Sequence, residues 1–75
     1  MTRKEELKRL IEESTEIKID VDRLLKEEEI NLKNICVDAC YFGVDANRIE
    51  YLVLCDKDMR EVKAIKSDDL KAYTI

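Results

Sequence analysis

The sequence predicts an α+β domain, with a long N-terminal helix packed on a three- or four-stranded antiparallel β-meander. Three observations carry that reading. Residues 3–29 space their apolar side chains by threes and fours, residues 33–75 switch to two-residue alternation, and polar turn-forming clusters divide that second part. A chain of 75 residues buries roughly 60–65% of its unfolded surface. One thin core is therefore expected, and residues 1–75 are assigned to a single domain, the helix over about 3–29 and the sheet over about 33–75.

The helix opens on a capping box, in which the Thr2 hydroxyl bonds the third helical amide and Glu5 reaches back. Leu7, Leu10, Ile11, Ile17, Val21, Leu24 and Leu25 then draw one apolar stripe, and Lys4, Lys8, Glu12 and Glu16 charge the other side. Ser14-Thr15 interrupts the pattern, and Glu16 to Val21 alternates as a strand would. Only Ile19 is misplaced on a continuous helix, so one helix over about 3–29 is the favoured reading. Its rival is a helix at 3–14, a strand at 16–21 and a short helix at 22–29.

Lys33 to Phe42, Arg48 to Asp56 and Arg60 to Lys66 read as strands, and Leu70 to Ile75 as a short last one. Residues 43–47, 56–59 and 67–69 read as turns. If 43–47 closes the first hairpin, Tyr41 faces Ile49, Ala39 faces Tyr51, Val37 faces Val53 and Ile35 faces Cys55. The second turn adds Val53 opposite Val62 and Tyr51 opposite Ala64. Both hairpins thus collect apolar residues on one face, which is expected to be the core side covered by the helix.

The opposite face carries Cys36, Asp38, Phe42, Leu52, Leu54 and Ile65 among Cys40, Glu50, Glu61 and Lys63. One helix covers one side of a sheet. That second face is closed by barrel curvature, covered by another subunit or used for a partner, and those first six residues are the candidate partner or dimer face. A 27-residue helix would also reach roughly 40 Å, beyond strands of about 27 Å, and the overhang again favours a homodimer.

Chemistry is sparse. The chain has no histidine and one glycine, Gly43, which excludes a Ser-His or Cys-His nucleophile pair and a phosphate-cradling loop. Cys36 and Cys40, four apart on a strand, would sit about 13 Å from each other, too far to share an ion or a bridge. No metal, no cofactor and no catalytic residue is expected. Asp38 has Lys63, two strands away, or a base of a partner as its expected counter-charge, and Glu27-Glu28-Glu29 reads as a solvated run or an acidic contact knob. The net charge of −4 is spread evenly, with ten acids and seven bases in residues 1–31 and eight and seven beyond, so no basic face marks a nucleic-acid binder.

No apolar leader follows Met1-Thr2-Arg3-Lys4, and the longest apolar run, Tyr51 to Cys55, falls far short of the roughly 20 residues of a membrane span. Three cysteines, an odd number, suit a reducing compartment. A cytoplasmic protein away from membranes is expected.

Residues 48–75, from Arg48-Ile49-Glu50-Tyr51-Leu52 to Ala72-Tyr73-Thr74-Ile75, resemble the closing meander of SH3-like small barrels. They are especially similar to the part of WYL domains where Tyr-Leu precedes a turn and an Asp-containing final bend. The tryptophan before Tyr51 is Glu50 here, and the basic residue expected around Asp69 is missing, so no site residue is carried over. The resemblance implies the second functional reading, a small-barrel nucleic-acid or nucleotide binder. The first is a non-enzymatic protein-interaction module, a regulator, adaptor or inhibitor that occupies a partner's surface. Small acidic anti-defence inhibitors of phages fit that profile.

Overall fold

Two helices, where the stripe suggested one, form the N-terminal third. The computed structural model of the chain describes residues 1–75, with α1 at Arg3–Thr15 and α2 at Val21–Glu27. Half of the capping box forms, the Glu5 amide donating to the Thr2 hydroxyl at 3.2 Å and that hydroxyl donating to the Glu5 carboxylate at 3.0 Å. At the other end the Thr15 hydroxyl donates back to the Ile11 carbonyl at 2.7 Å, and Glu16 turns into left-handed backbone with φ 60°. That geometry ends a helix. Residues 17–20 link the helices, and Asp20, in extended backbone, caps α2 by accepting from the Arg23 amide at 3.2 Å. The continuous helix over 3–29 is thus corrected. The rival boundaries lie closer, although their strand at 16–21 shrinks to one bridge between Ile19 and Thr74. The deciding residue is Ile19, which a continuous helix would turn away from the core and which the break buries. The overhang argument lapses with the long helix, because 13 residues reach only about 20 Å.

The strand expected from Lys33 is also shorter. Leu32–Asn34 and Val37–Ala39 are 3₁₀ turns, and the first pairs its start with Asn31, whose side chain accepts from the Lys33 amide at 3.0 Å. The sheet proper contains β1 at Tyr41–Val44, β2 at Glu50–Cys55 and β3 at Glu61–Lys66, antiparallel in the order β1-β2-β3. β1 and β3 are both edges, so the meander is open and the small-barrel expectation is corrected. The last strand expected at 70–75 is replaced by α3 at Ser67–Leu70, a 3₁₀ turn at Lys71–Tyr73 and the single bridge at Thr74.

Both hairpins close with the same five-residue loop. In Asp45–Ile49 the aspartate carboxylate accepts from the amides of Asn47 (2.8 Å) and Ile49 (3.0 Å), and Arg48 is left-handed at φ 63°. In Asp56–Arg60 the carboxylate accepts from Asp58 and Arg60, each at 2.9 Å, and Met59 is left-handed at φ 64°. This is a type I turn followed by a left-handed residue, a common three-residue hairpin connection. The first loop therefore lies two residues later than 43–47, and Tyr41 faces Val53 instead of Ile49. In the second hairpin Val53 faces Ala64 instead of Val62, with a bulge at Leu54/Cys55. Both slips are even numbers of residues, so the division of side chains between the two faces survives them up to the bulge, where the odd step brings Glu61 across to the side of Cys55.

Which face became the core did not survive. α1, α2 and α3 lie over Phe42, Leu52, Leu54 and Ile65, the side assigned to a partner, and Leu52, Leu54 and Ile65 join Leu7, Ile11 and Leu24 in one buried cluster. Of the side assigned to the core, Ile35 is buried in that cluster and Val53 and Cys55 are buried outside it, while Tyr41, Ile49, Val62 and Ala64 are exposed. Long branched aliphatics fill the space beneath helices better than valine and alanine, and the two tyrosines on the other side keep their hydroxyls toward water.

The C-terminal segment locks the helical layer. The Asp20 amide donates to the Tyr73 carbonyl at 2.8 Å and the Ile75 amide to the Lys18 carbonyl at 3.1 Å. Arg23 donates to the Ala72 carbonyl and lies 5.2 Å from the centre of the Tyr73 ring. Tyr73 is buried, and its hydroxyl donates to the Glu28 carboxylate at 2.8 Å. That bond, aided by burial, pushes the phenol up to about 12.

Candidate functional site

The six residues singled out from the sequence do not form a surface. Leu52 and Leu54 are 0% exposed and Ile65 is 3%. Phe42 is half-buried against the same cluster, Cys36 is half-buried, and Asp38 is exposed in the 3₁₀ turn at Val37–Ala39. A leucine enclosed by its own chain offers nothing to a partner, so the candidate contact face on this side of the sheet is corrected. Nor does Asp38 meet Lys63. The Lys63 ammonium donates to the Glu28 carbonyl at 2.7 Å and lies 3.6 Å from its carboxylate. Glu28 therefore ties β3, α2 and Tyr73 together, and the central residue of the acidic run is spent inside the fold.

The cysteines lie closer than strand geometry allowed. Because residues 36–40 turn, the Cys40 thiol donates to the Cys36 carbonyl at 3.3 Å and its sulfur accepts from the Cys55 amide at 3.4 Å. The 13 Å separation is thereby corrected. All three thiols are free. Burial raises the pKa of Cys40 and of Cys55, the latter helped by the charges of Glu61 and Asp56. A protonated buried thiol is a poor nucleophile and a poor metal ligand. No group of three or more His, Cys, Asp or Glu side chains is placed to hold a metal ion.

A groove of about 720 Å³ between the start of α1, the Asn34–Asp38 stretch and the β2–β3 loop has Arg3, Lys33 and Lys57 beside Glu6, Asp38 and Asp58. Asp56 lines it as well, so acids and bases stand together in it.

What the fold does leave open is the second face of the sheet. One rung runs Tyr41, Val53 and Ala64 across the three strands, and the next runs Gly43, Tyr51 and Lys66. Tyr41 is 52% exposed and Val62, further along β3, is 50%. Ile49 and Ala64 are exposed as well, and Tyr51 is half-buried. Gly43 serves this face. Its φ is not positive, but a side chain there would come within 3.1 Å of the Tyr41 ring, so the missing Cβ lets that ring lie along the strand. Val53 and Cys55 are buried yet stand outside the main cluster, sheltered on this side by their neighbours. No helix covers this face. Sequence reasoning found its members but mistook them for the core. The signal that could have distinguished the faces was the pair of tyrosines with the only glycine.

Compared with known proteins, the chain matches no family model, and no curated protein or solved structure matches it. No helix is long and apolar enough to cross a membrane.

Proposed function

We propose that this chain is a non-enzymatic protein-interaction module, a regulator, adaptor or inhibitor, whose contact surface is the bare face of its sheet. The supporting observation is the contrast at one β-sheet. Helices seal one face, while Tyr41, Ile49, Val62 and Ala64 are exposed and Tyr51 half-buried on the other. Contiguous exposed apolar surface on a small domain marks a contact site, and tyrosine is enriched where such sites hold their binding energy. A phage-type inhibitor is one instance of this class.

The test starts from a partner captured by photo-crosslinking through position 62 and then purified. Binding to Tyr41→Ser/Val62→Lys should fall at least about tenfold below the unaltered chain, with the circular dichroism spectrum unchanged. A purified partner that binds both equally would refute the surface.

Single-stranded nucleic acid is the second reading, favoured by one observation. Tyr41 and Tyr51 offer two rings on adjacent strands, with Lys66 directly across from Tyr51. It predicts binding of a labelled oligonucleotide that weakens steeply with salt.

A further inference from the structure

We propose that a second copy of this chain occupies the bare sheet face, two copies meeting face to face across a two-fold axis that lies between the sheets and crosses the strands. The proposal rests on the reading of that face as the contact surface and adds its occupant.

Charge placement supports it. β3 begins at Glu61 and ends at Lys66, both exposed, and neither forms an ion pair or a side-chain hydrogen bond within the chain. Lys66 belongs to the bare face as the cross-strand neighbour of Tyr51. Glu61 is the cross-strand neighbour of Cys55, which alternation from Val53 places on that face, and its charge is felt by the Cys55 thiol. The face is thus positive at one end of β3 and negative at the other. A two-fold axis across the strands reverses one β3 over its copy, so each Lys66 meets the other copy's Glu61. Between these two pairs, the Tyr41–Val53–Ala64 rung of each copy lies near its equivalent, and Val62 lies against the Ala64–Lys66 end of the other copy's β3. An interface about a two-fold axis must be self-complementary, and this patch is so in both charge and apolar character.

Size sets the strength. Three strands about 4.8 Å apart and six residues of about 3.3 Å each make a patch of roughly 14 Å by 20 Å. With side-chain relief, a pair would bury about 900 Å² in total, below the roughly 1,200 Å² at which stable interfaces begin. The expected dimer is reversible, with a dissociation constant of tens to hundreds of micromolar. Such a pair shields the apolar face and yields it to any tighter partner.

Sedimentation equilibrium on the full chain from about 5 to 1,000 µM tests this. The unaltered protein should pass from monomer to dimer across that range, and Val62→Lys should stay monomeric with an unchanged melting curve. Glu61→Lys and Lys66→Glu should each weaken association about three- to tenfold, since each disrupts two exposed pairs. The double variant Glu61→Lys/Lys66→Glu should restore it to within about twofold, a rescue that a generic loss of solubility or fold would not give. A monomer throughout the range, a dimer indifferent to Val62→Lys, or single swaps without rescue would overturn the proposal. A monomeric chain whose separate partner still depends on Tyr41 and Val62 would refute the dimer alone. A dimer of the expected behaviour whose partner ignores those residues would refute the partner reading alone.

Discussion

The two faces of one three-stranded sheet have met different fates. Leu52, Leu54 and Ile65 on one side are enclosed by helices and reach essentially zero exposure, while Tyr41 and Val62 on the other keep about half of theirs. Both faces are apolar by a simple count, so apolar count is not what separates them. Side-chain length and the tyrosine hydroxyls are. Leucine and isoleucine reach into the gap beneath a helix layer, whereas tyrosine carries a polar tip that must find a partner or water. Tyr73 illustrates the alternative, being buried because Glu28 takes its hydroxyl.

The largest expected effect breaks the contrast directly. Leu52→Asp places an unpaired carboxylate in the sealed layer and should cost on the order of 5 kcal/mol. That is comparable with the roughly 4–11 kcal/mol available to a chain this size, so urea titration should find it mostly unfolded at 25 °C. Val62→Asp, on the same sheet, should cost less than about 1 kcal/mol. Equal losses would show that the faces do not differ.

A smaller effect compares two tyrosines. Tyr73→Phe should cost about 1–2 kcal/mol by removing the hydrogen bond to Glu28, whereas Tyr51→Phe on the bare face should cost almost nothing. Their pH dependence should differ too. The Tyr73 phenol is raised in the folded state to about 12, above its ordinary value of 10. Its contribution is therefore fully present below pH 10 and lost as pH rises from 10 to about 12. Denaturant midpoints measured across that window should fall less steeply for Tyr73→Phe than for the unaltered chain, and Tyr51→Phe should follow the unaltered chain.

The smallest effect belongs to neither face and sharpens the comparison by isolating the loops. Met59→Gly and Arg48→Gly place the residue best suited to left-handed backbone at φ 64° and 63°. Each should raise stability by about 0.5–1 kcal/mol in a thermal melt. A destabilisation at both would mean that their side chains hold the hairpins together.

Much of the fold was legible as pattern. The capping box at Thr2, the apolar stripe through Leu7, Ile11, Val21 and Leu24, the antiparallel meander and the partition of its side chains between two faces all follow from local spacing. The break at Thr15 was visible as an alternative, but Ile19 alone could not decide it, because its burial depends on the C-terminal segment 55 residues later bridging at Thr74. The second loop lies where its turn residues put it, at Asp56–Arg60, and the first was misplaced because the turn was centred near Gly43 and not on Asp45, whose carboxylate sets it. The candidate site failed for a related reason, since its apolar members, Phe42, Leu52, Leu54 and Ile65, were placed by alternation along the strands alone.

Spacing along the chain determined which residues are neighbours on a helix or across a strand, because those periods are properties of the backbone. Only the tertiary structure decided which side of the sheet the helices cover. That choice depends on the volume between the layers and on where each buried hydroxyl, thiol and ammonium finds a partner, and these are set jointly by residues far apart in the chain.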